Sequence, residues 1–121
     1  MPVKLVKELT LDEAKKLKNS KEYNFRYLVG WARFDAFADY YVDIDKKLLL
    51  RMHFNERAGT DNSALYQFDD LTEVANWIWE AESGTLPFRE IAERIKEVFG
   101  VDVTMSPKNK VIRMLFGEAG S

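Results

Sequence analysis

Residues 22–55 alternate between apolar and polar side chains with a period of two. From Tyr23 to Trp31 the apolar or aromatic residues occupy the odd positions, whereas after Phe34 they occupy mainly the even positions. A period of two is the pattern of a strand with one buried face, and the change of parity indicates a tight turn between two strands. A third apolar series follows at the even positions of 48–54. The pattern therefore predicts an antiparallel meander of three strands across about residues 22–55.

The lengths of the turns predict which residues face each other across this meander. A three-residue turn at 45–47 pairs Ile44 with Leu48, and a connection at 33–36 keeps both apolar sets on one side. The same registers pair Arg26 with Asp43, Leu28 with Tyr41, Gly30 with Asp39, Asp43 with Leu49, Tyr41 with Arg51, and Asp39 with His53. We therefore expect one face to stay uncovered and to display Arg26, Leu28, Asp39, Tyr41, Asp43, Leu49, Arg51 and His53.

Three segments carry apolar residues at helical spacing between recognisable end signals. They predict helices over about residues 10–19, 70–83 and 87–99. The first two begin with the residues of a capping box, Thr10 with Glu13 and Asp70 with Glu73. A proline in the first turn and a glycine after the last turn delimit the third helix.

The remaining segments predict short elements. Residues 2–8 have the pattern of an edge strand, and 55–64 have the composition of a loop. Two apolar runs flank the sequence SPKNK and predict a C-terminal β-hairpin across about 101–116. Together the elements predict an α+β fold in a single domain, 1–121, with helices packed on one face of the meander.

The composition is typical of a soluble domain and excludes several kinds of chemistry. The 121 residues contain no cysteine, which excludes disulfides, thiol nucleophiles and cysteine metal ligands. The start, MPVKLVKELT, is too charged for a signal peptide. No apolar run approaches the ~20 residues that cross a bilayer. These features predict a soluble, cytoplasmic protein.

Charge is unevenly distributed along the chain, although the net charge is only −2. No basic residue lies between Arg57 and Arg89, and the acids of that span are Asp61, Asp69, Asp70, Glu73, Glu80 and Glu82. A local field of this sign repels phosphate backbones and attracts basic surfaces.

The one histidine, His53, supplies the candidate for chemistry. In the predicted register it faces Asp39, and an Asp–His pair can act as a general base near neutral pH. A small acid–base enzyme is therefore one alternative function. Asp39 and Asp43 lie roughly 13 Å apart by strand rise, which is too far for one metal ion, so neither a metal nor a cofactor is expected.

Two groups of lysines define a second alternative, nucleic-acid binding. Lys15, Lys16, Lys18 and Lys21 surround the first helix, and Lys108 and Lys110 lie at the turn of the predicted C-terminal hairpin. Neither group interleaves with aromatic residues, as a single-strand binding surface requires. Solvated helix and turn surfaces explain both groups equally well.

The second predicted helix suggests the leading function. At 100° per residue Trp77 falls opposite the apolar stripe, beside Glu73, Asn76 and Glu80; burial under a neighbouring segment is the alternative for this side chain. An outward tryptophan among acids is typical of an interface anchor. We expect a non-catalytic protein-binding module that covers a basic surface of its partner, as small inhibitor or immunity proteins do by analogy of size and charge. Its predicted contact residues are Trp77, Glu73, Glu80, Asp69, Asp70, Tyr41, Asp39, Asp43, Arg51 and His53.

Overall fold

A computed structural model describes residues 3–118 and shows an α+β fold, as predicted. The strands are β1 (Lys4–Leu9), β2 (Arg26–Arg33), β3 (Ala36–Asp43), β4 (Leu48–Asn55), β5 (Thr60–Asp61) and β6 (Ser63–Gln67). The helices are α1 (Leu11–Asn19), α2 (Leu71–Ala81), α3 (Phe88–Phe99) and α4 (Pro107–Phe116). The chain forms two compact units: Val3–Phe68 holds the sheet and α1, and the second begins at Asp69 and holds the other helices. The prediction of a single domain stays a prediction.

The sheet is antiparallel, with strand order β1–β6–β4–β3–β2 and the short β5 beside β4. The predicted meander is confirmed as β2, β3 and β4, and β1 is the predicted edge strand. The prediction of a loop over 55–64 is wrong in its second half, because β5 and the start of β6 fall there. β6 contains only five residues, SALYQ, too few for a period of two to stand out.

The register between β3 and β4 differs from the prediction by one residue. Asp43 pairs with Leu48 across a four-residue turn, and Asp39 consequently pairs with Met52 instead of His53. The Asp43 carboxylate explains the longer turn, because it accepts hydrogen bonds from the backbone N–H groups of Lys46 at 3.1 Å and Asn24 at 2.9 Å. A slip of one residue moves every side chain to the other face of its strand.

A β-bulge between Tyr27 and Val29 changes the β2 pairing as well. Beyond the bulge, Gly30 pairs with Asp39 as predicted, but before it Arg26 pairs with Val42. The extra residue reverses the expected burial, since Leu28 is buried whereas Tyr27 is exposed.

Helix α1 covers one face of the sheet in the first unit. Its predicted capping box is present: the Glu13 N–H donates to Thr10 Oγ1 at 3.1 Å, and the Thr10 N–H donates to Glu13 Oε1 at 2.9 Å. The second bond, which favours the ionised form, lowers the pKa of the Glu13 carboxyl. The core beneath α1 consists of Leu9, Ala14, Leu50, Met52 and Leu65, with Phe37 and Tyr41 partly buried against it.

The second unit is built on the contact between α2 and α3. Asp70 caps α2 by accepting the Glu73 N–H at 2.9 Å, and Gly100 ends α3 in the left-handed conformation at φ 71°. Both helices thus begin and end within two residues of the predicted bounds. Their buried residues include Leu71, Val74, Ile78, Phe88, Ile91 and Ile95.

The predicted C-terminal hairpin over 101–116 is wrong, because the second apolar run forms the helix α4. Ser106 caps this helix by accepting the Asn109 N–H at 3.2 Å, and Pro107 occupies its first turn. The cap side chain and the proline's fixed φ fit the start of a helix. Within residues 3–118, no helix combines the length and the apolar character that crossing a bilayer requires.

Candidate binding surface

Helix α4 is fixed at its start by the side chain of Asn76. Asn76 Nδ2 donates to the carbonyl oxygens of Thr72 at 2.8 Å and Thr104 at 3.0 Å. Asn76 Oδ1 accepts the Ser106 N–H at 2.8 Å and the Asn109 side-chain amide at 3.0 Å. Asn109 is completely buried, so its bond to Asn76 is shielded from water, and the four bonds together fix the first turn of α4 against α2.

The segment after α4 is fixed by the buried carboxylate of Glu118. Its Oε2 accepts the indole N–H of Trp79 at 2.5 Å and the backbone N–H of Phe88 at 2.8 Å. Arg113 lies 3.7 Å from the other oxygen. Because Phe88 begins α3, this carboxylate ties the end of α4 to both neighbouring helices.

Between these two attachments, α4 presents large apolar side chains to solvent. Val111, Met114, Leu115 and Phe116 are 50%, 78%, 68% and 81% exposed. We call Val111, Met114 and Leu115 the α4 ridge, because their spacing of i, i+3, i+4 places them on one side of the helix. A groove of about 420 Å³ lies between α4 and the end of α2, and its lining combines the apolar Trp79, Ile112 and Phe116 with the polar Glu80 and Ser83.

The α4 ridge has cations at its edges. Lys108 Nζ lies 2.7 Å from Glu80 Oε1, whereas Lys110 is exposed. Helix α4 contains no acidic residue, so its charge is positive while its central surface is apolar.

The predicted contact residues on α2 occupy several environments. Trp77 is half-buried, Glu73 is partly buried, and Asp69 and Asp70 are exposed. Glu80 is exposed but is paired with Lys108, which reduces the acidity of this part of the surface. Asn76, which was expected beside Trp77 on an exposed side, is buried, because its amide fixes the segment before α4. The predicted α2 surface is therefore less exposed and less acidic than expected.

The structure divides the predicted contact residues of the sheet between its two faces. Asp39 and Tyr41 lie on the face that α1 covers, whereas Arg51 and His53 lie on the other face. Asp43 is only 2% exposed and holds the β3–β4 turn. The prediction that all these residues lie on one uncovered face is therefore wrong, and Leu28 and Leu49, which were predicted on that face, are also buried. The Asp39–His53 pair of the enzyme alternative is not formed.

On the α1 side, Asp39 belongs to a small cluster of polar and aromatic groups. The Tyr27 and Tyr41 rings meet edge to face with centres 5.5 Å apart, and Lys18 Nζ lies 5.2 Å from the centre of the Tyr41 ring. Burial raises the pKa of the Asp39 carboxyl, while Lys18 opposes that shift. Burial also raises the pKa of the Tyr41 hydroxyl, with further contributions from Asp39 and Tyr27. Gly30 gives the carboxylate its space, because a Cβ there would overlap Asp39 Oδ1.

On the opposite face, Arg51 organises a polar pocket of about 430 Å³. Its Nε donates to the Tyr40 hydroxyl at 2.8 Å, and its Nη1 donates to the Asn62 carbonyl at 3.3 Å. Burial raises the pKa of Tyr66 in this pocket; Arg51 opposes the shift and Glu8 adds to it. Acids and a guanidinium share this pocket, so it has no single charge to select an ionic ligand.

The described part of the chain contains no candidate metal site. Among residues 3–118 no group of three or more histidine or acidic side chains is arranged to hold a metal ion. His53 instead lies near Trp31, with ring centres 6.3 Å apart, and its backbone N–H donates to Ser63 Oγ at 3.0 Å.

Comparison with known proteins adds no further constraint. No protein-family model, no curated protein and no solved structure matches this chain. The candidate surface therefore depends on the geometry of the molecule itself. That surface, the α4 ridge with its groove, was missed in the sequence because 101–116 was interpreted as a hairpin. The available signals were the Ser106–Pro107 cap and the helical spacing of Val111, Met114 and Leu115.

Proposed function

We propose that this protein is a non-catalytic protein-binding module that contacts its partner through the α4 ridge and the adjacent groove. The observation that carries the proposal is the exposure of Val111, Met114, Leu115 and Phe116 on one short helix. Soluble proteins rarely expose contiguous apolar patches of more than a few hundred Å², and larger patches commonly mark interaction sites.

The spacing of the ridge supports contact with a protein. Side chains at i, i+3 and i+4 form the set that an amphipathic helix inserts into an apolar groove of its partner. Asn76 and Glu118 hold α4 from both ends, so the helix is already ordered before binding. An ordered surface loses less conformational entropy on association than a flexible one.

The acidic residues supply a second element of the proposal. Asp69 and Asp70 are exposed at the start of α2, and acids at such positions speed the encounter with a basic partner surface. Occlusion of such a surface, as an inhibitor or immunity-type protein achieves it, is the form of binding we favour. The absence of cysteine is consistent with action in the cytoplasm, where thiols stay reduced.

Site-specific photocrosslinking in the native cells tests the proposal. A photoreactive residue replaces Met114 on the ridge in one variant and Arg89 on α3, whose side chain is 88% exposed, in the control. We expect protein adducts from position 114 and few from position 89. Equal labelling from the two positions, or no adduct from either, would contradict a binding role for α4.

A further inference from the structure

Helix α4 is attached to its unit in a different way from α3. Helix α3 buries the large apolar side chains of Phe88, Ile91 and Ile95. The structure describes every residue of α4, and among them Asn109 is the one that is buried. We propose that α4 opens by local unfolding while α2 and α3 stay folded, and that the carboxylate of Glu118 controls this opening. Opening of this kind needs no partner, so it goes beyond the proposed function.

The closed position of α4 depends on polar contacts at its two ends. Asn76 and Asn109 hold the first turn, and Glu118 holds the segment after the last turn. Between these ends the side chains of the α4 ridge already face solvent, so opening exposes little additional apolar surface. A few hydrogen bonds contribute less free energy than the burial of several large apolar side chains. Opening α4 therefore costs less free energy than unfolding α2 and α3.

Opening unfolds α4 and does not move it as a rigid helix. The helix has only ten residues, and isolated helices shorter than ~12–15 residues are marginal in water. Met105, which is buried just before the capping residue Ser106, fixes the start of the segment that opens. Segments with few buried apolar contacts open at a free energy below that of global unfolding. Residues 107–118 are therefore the unit that opens.

Glu118 controls the opening because donors from two neighbouring elements converge on its carboxylate. One is the Trp79 indole N–H at the end of α2, and the other is the Phe88 N–H in the first turn of α3, where the helix dipole favours an anion. Hydrogen bonds to a charged acceptor are stronger than those to a neutral one. Because the α4 ridge forms only in the closed state, Glu118 also controls binding through the ridge, a consequence that rests on the proposed function.

Limited proteolysis of the purified full-length protein with trypsin tests the opening, since both helices carry exposed cleavage sites. The side chains of Lys108 on α4 and of Arg89 and Lys96 on α3 are 67%, 88% and 56% exposed. Each cleavage rate is divided by the rate at the same bond in a synthetic peptide, which removes differences in intrinsic susceptibility. We expect relative rates within α4, at Lys108, Lys110 or Arg113, at least about 100-fold above those within α3. Equal relative rates in the two helices, or faster cleavage of α3, would overturn the proposal.

The urea dependence of these rates separates local opening from global unfolding. Low urea should leave the relative rate within α4 nearly unchanged, because its opening exposes little surface, whereas the rate within α3 should rise steeply. A rise within α4 that parallels the rise within α3 would overturn the proposal, because both helices would then be cleaved from the globally unfolded chain.

Glu118→Gln tests the role of the carboxylate. It keeps the shape of the side chain but removes its charge, so the relative cleavage rate within α4 should rise by about 10-fold or more. Glu97→Gln is the matched control, because the Glu97 side chain is 70% exposed on α3, and it should change that rate by less than about 2-fold. An unchanged rate in Glu118→Gln, or an equal rise in Glu97→Gln, would overturn the role of Glu118. Absence of position-114 adducts in cells would remove the consequence for binding and leave the opening of α4 standing.

Discussion

Asn76→Asp is the substitution that tests most sharply how α4 is held. The carboxylate has nearly the same shape as the amide, and it can still accept the Ser106 N–H and the Asn109 amide. It loses the two N–H groups that the Asn76 amide donates to the carbonyl oxygens of Thr72 and Thr104. Those two oxygens would instead face an anion in a buried site.

The magnitude follows from these contacts. Each lost hydrogen bond costs about 1 kcal/mol net, and the buried anion facing two carbonyl groups adds a desolvation and repulsion penalty of similar or larger size. We expect the free energy of unfolding to fall by about 3–5 kcal/mol at neutral pH, a large fraction of the ~5–15 kcal/mol that holds a typical domain together. Because Asn76 contacts the backbone of Thr104 and Ser106, the substitution weakens the attachment of α4 itself.

The pH dependence of this loss of unfolding free energy distinguishes a buried carboxylate from a general packing defect. Burial and the facing carbonyls raise the folded-state pKa of the introduced carboxyl above its unfolded value of about 3.9. The penalty relative to wild type is therefore full above the raised pKa and shrinks as pH falls towards about 4, because the protonated carboxyl regains one donor.

Urea unfolding followed by circular dichroism at neutral and acidic pH measures both quantities. Asn62→Asp is the control, because Asn62 is exposed and its side chain should tolerate the change within about 0.5 kcal/mol. A loss below about 1 kcal/mol for Asn76→Asp, or a loss that acid does not reduce, would refute the role given to this amide.

Three further substitutions test the other buried contacts. Glu118→Ala removes the acceptor of the Trp79 indole N–H and the Phe88 N–H, so the free energy of unfolding in urea titrations should fall by about 2–4 kcal/mol. A loss under about 1 kcal/mol would argue against the role of Glu118 in fixing the segment after α4. Gly30→Ala places a Cβ 2.6 Å from the Ala38 carbonyl oxygen and against Asp39, so the free energy of unfolding, measured by heat or urea, should fall by about 1–3 kcal/mol. An unchanged free energy of unfolding would contradict the close approach of these strands. Burial raises the folded-state pKa of Asp39 above the ordinary aspartate pKa of 3.8, so Asp39→Asn should gain stability relative to wild type as the pH rises above that value. Paired urea titrations at acidic and neutral pH check this, and a relative loss of stability on raising the pH would contradict it.

The predicted helices were found because their end signals are local. A capping side chain and the residue three positions later interact within one turn, so Thr10 with Glu13 specifies the start of α1 without reference to the rest of the chain. The three strands of the meander were predictable for a similar reason, since side chains on a strand with one buried face alternate every two residues.

The register of β4 was not predictable, because it depends on a contact between distant residues. The Asp43 carboxylate binds the backbone of Asn24, nineteen positions away, as well as Lys46 in the turn. These bonds favour a turn of four residues over one of three, and the extra residue moves Asp39 and His53 to opposite faces. The one-residue difference in register therefore separates Asp39 from His53, the candidate enzyme pair.

The candidate surface on α4 was not predicted, because the apolar pattern around residues 101–116 fits a strand and a helix alike. Val111, Met114 and Leu115 match one side of a helix, but Ile112 and Phe116 extend the apolar run in both interpretations. Local cap chemistry at Ser106 and the long-range bonds of Asn76 determine the helix. Exposure of apolar side chains cannot be recognised in a sequence, where apolar residues are first assigned to the core.

The methyl signal of Met114 offers the most direct test that α4 is a protein-contact surface. In protein labelled with ¹³C at the methionine methyl groups, the buried residues Met52 and Met105 serve as internal controls. We predict that, when native extract is added, the Met114 signal shifts or broadens and becomes protected from a soluble paramagnetic agent, while the Met52 and Met105 signals stay unchanged. A Met114 signal that is as narrow and as accessible in native extract as in the protein alone would contradict the account.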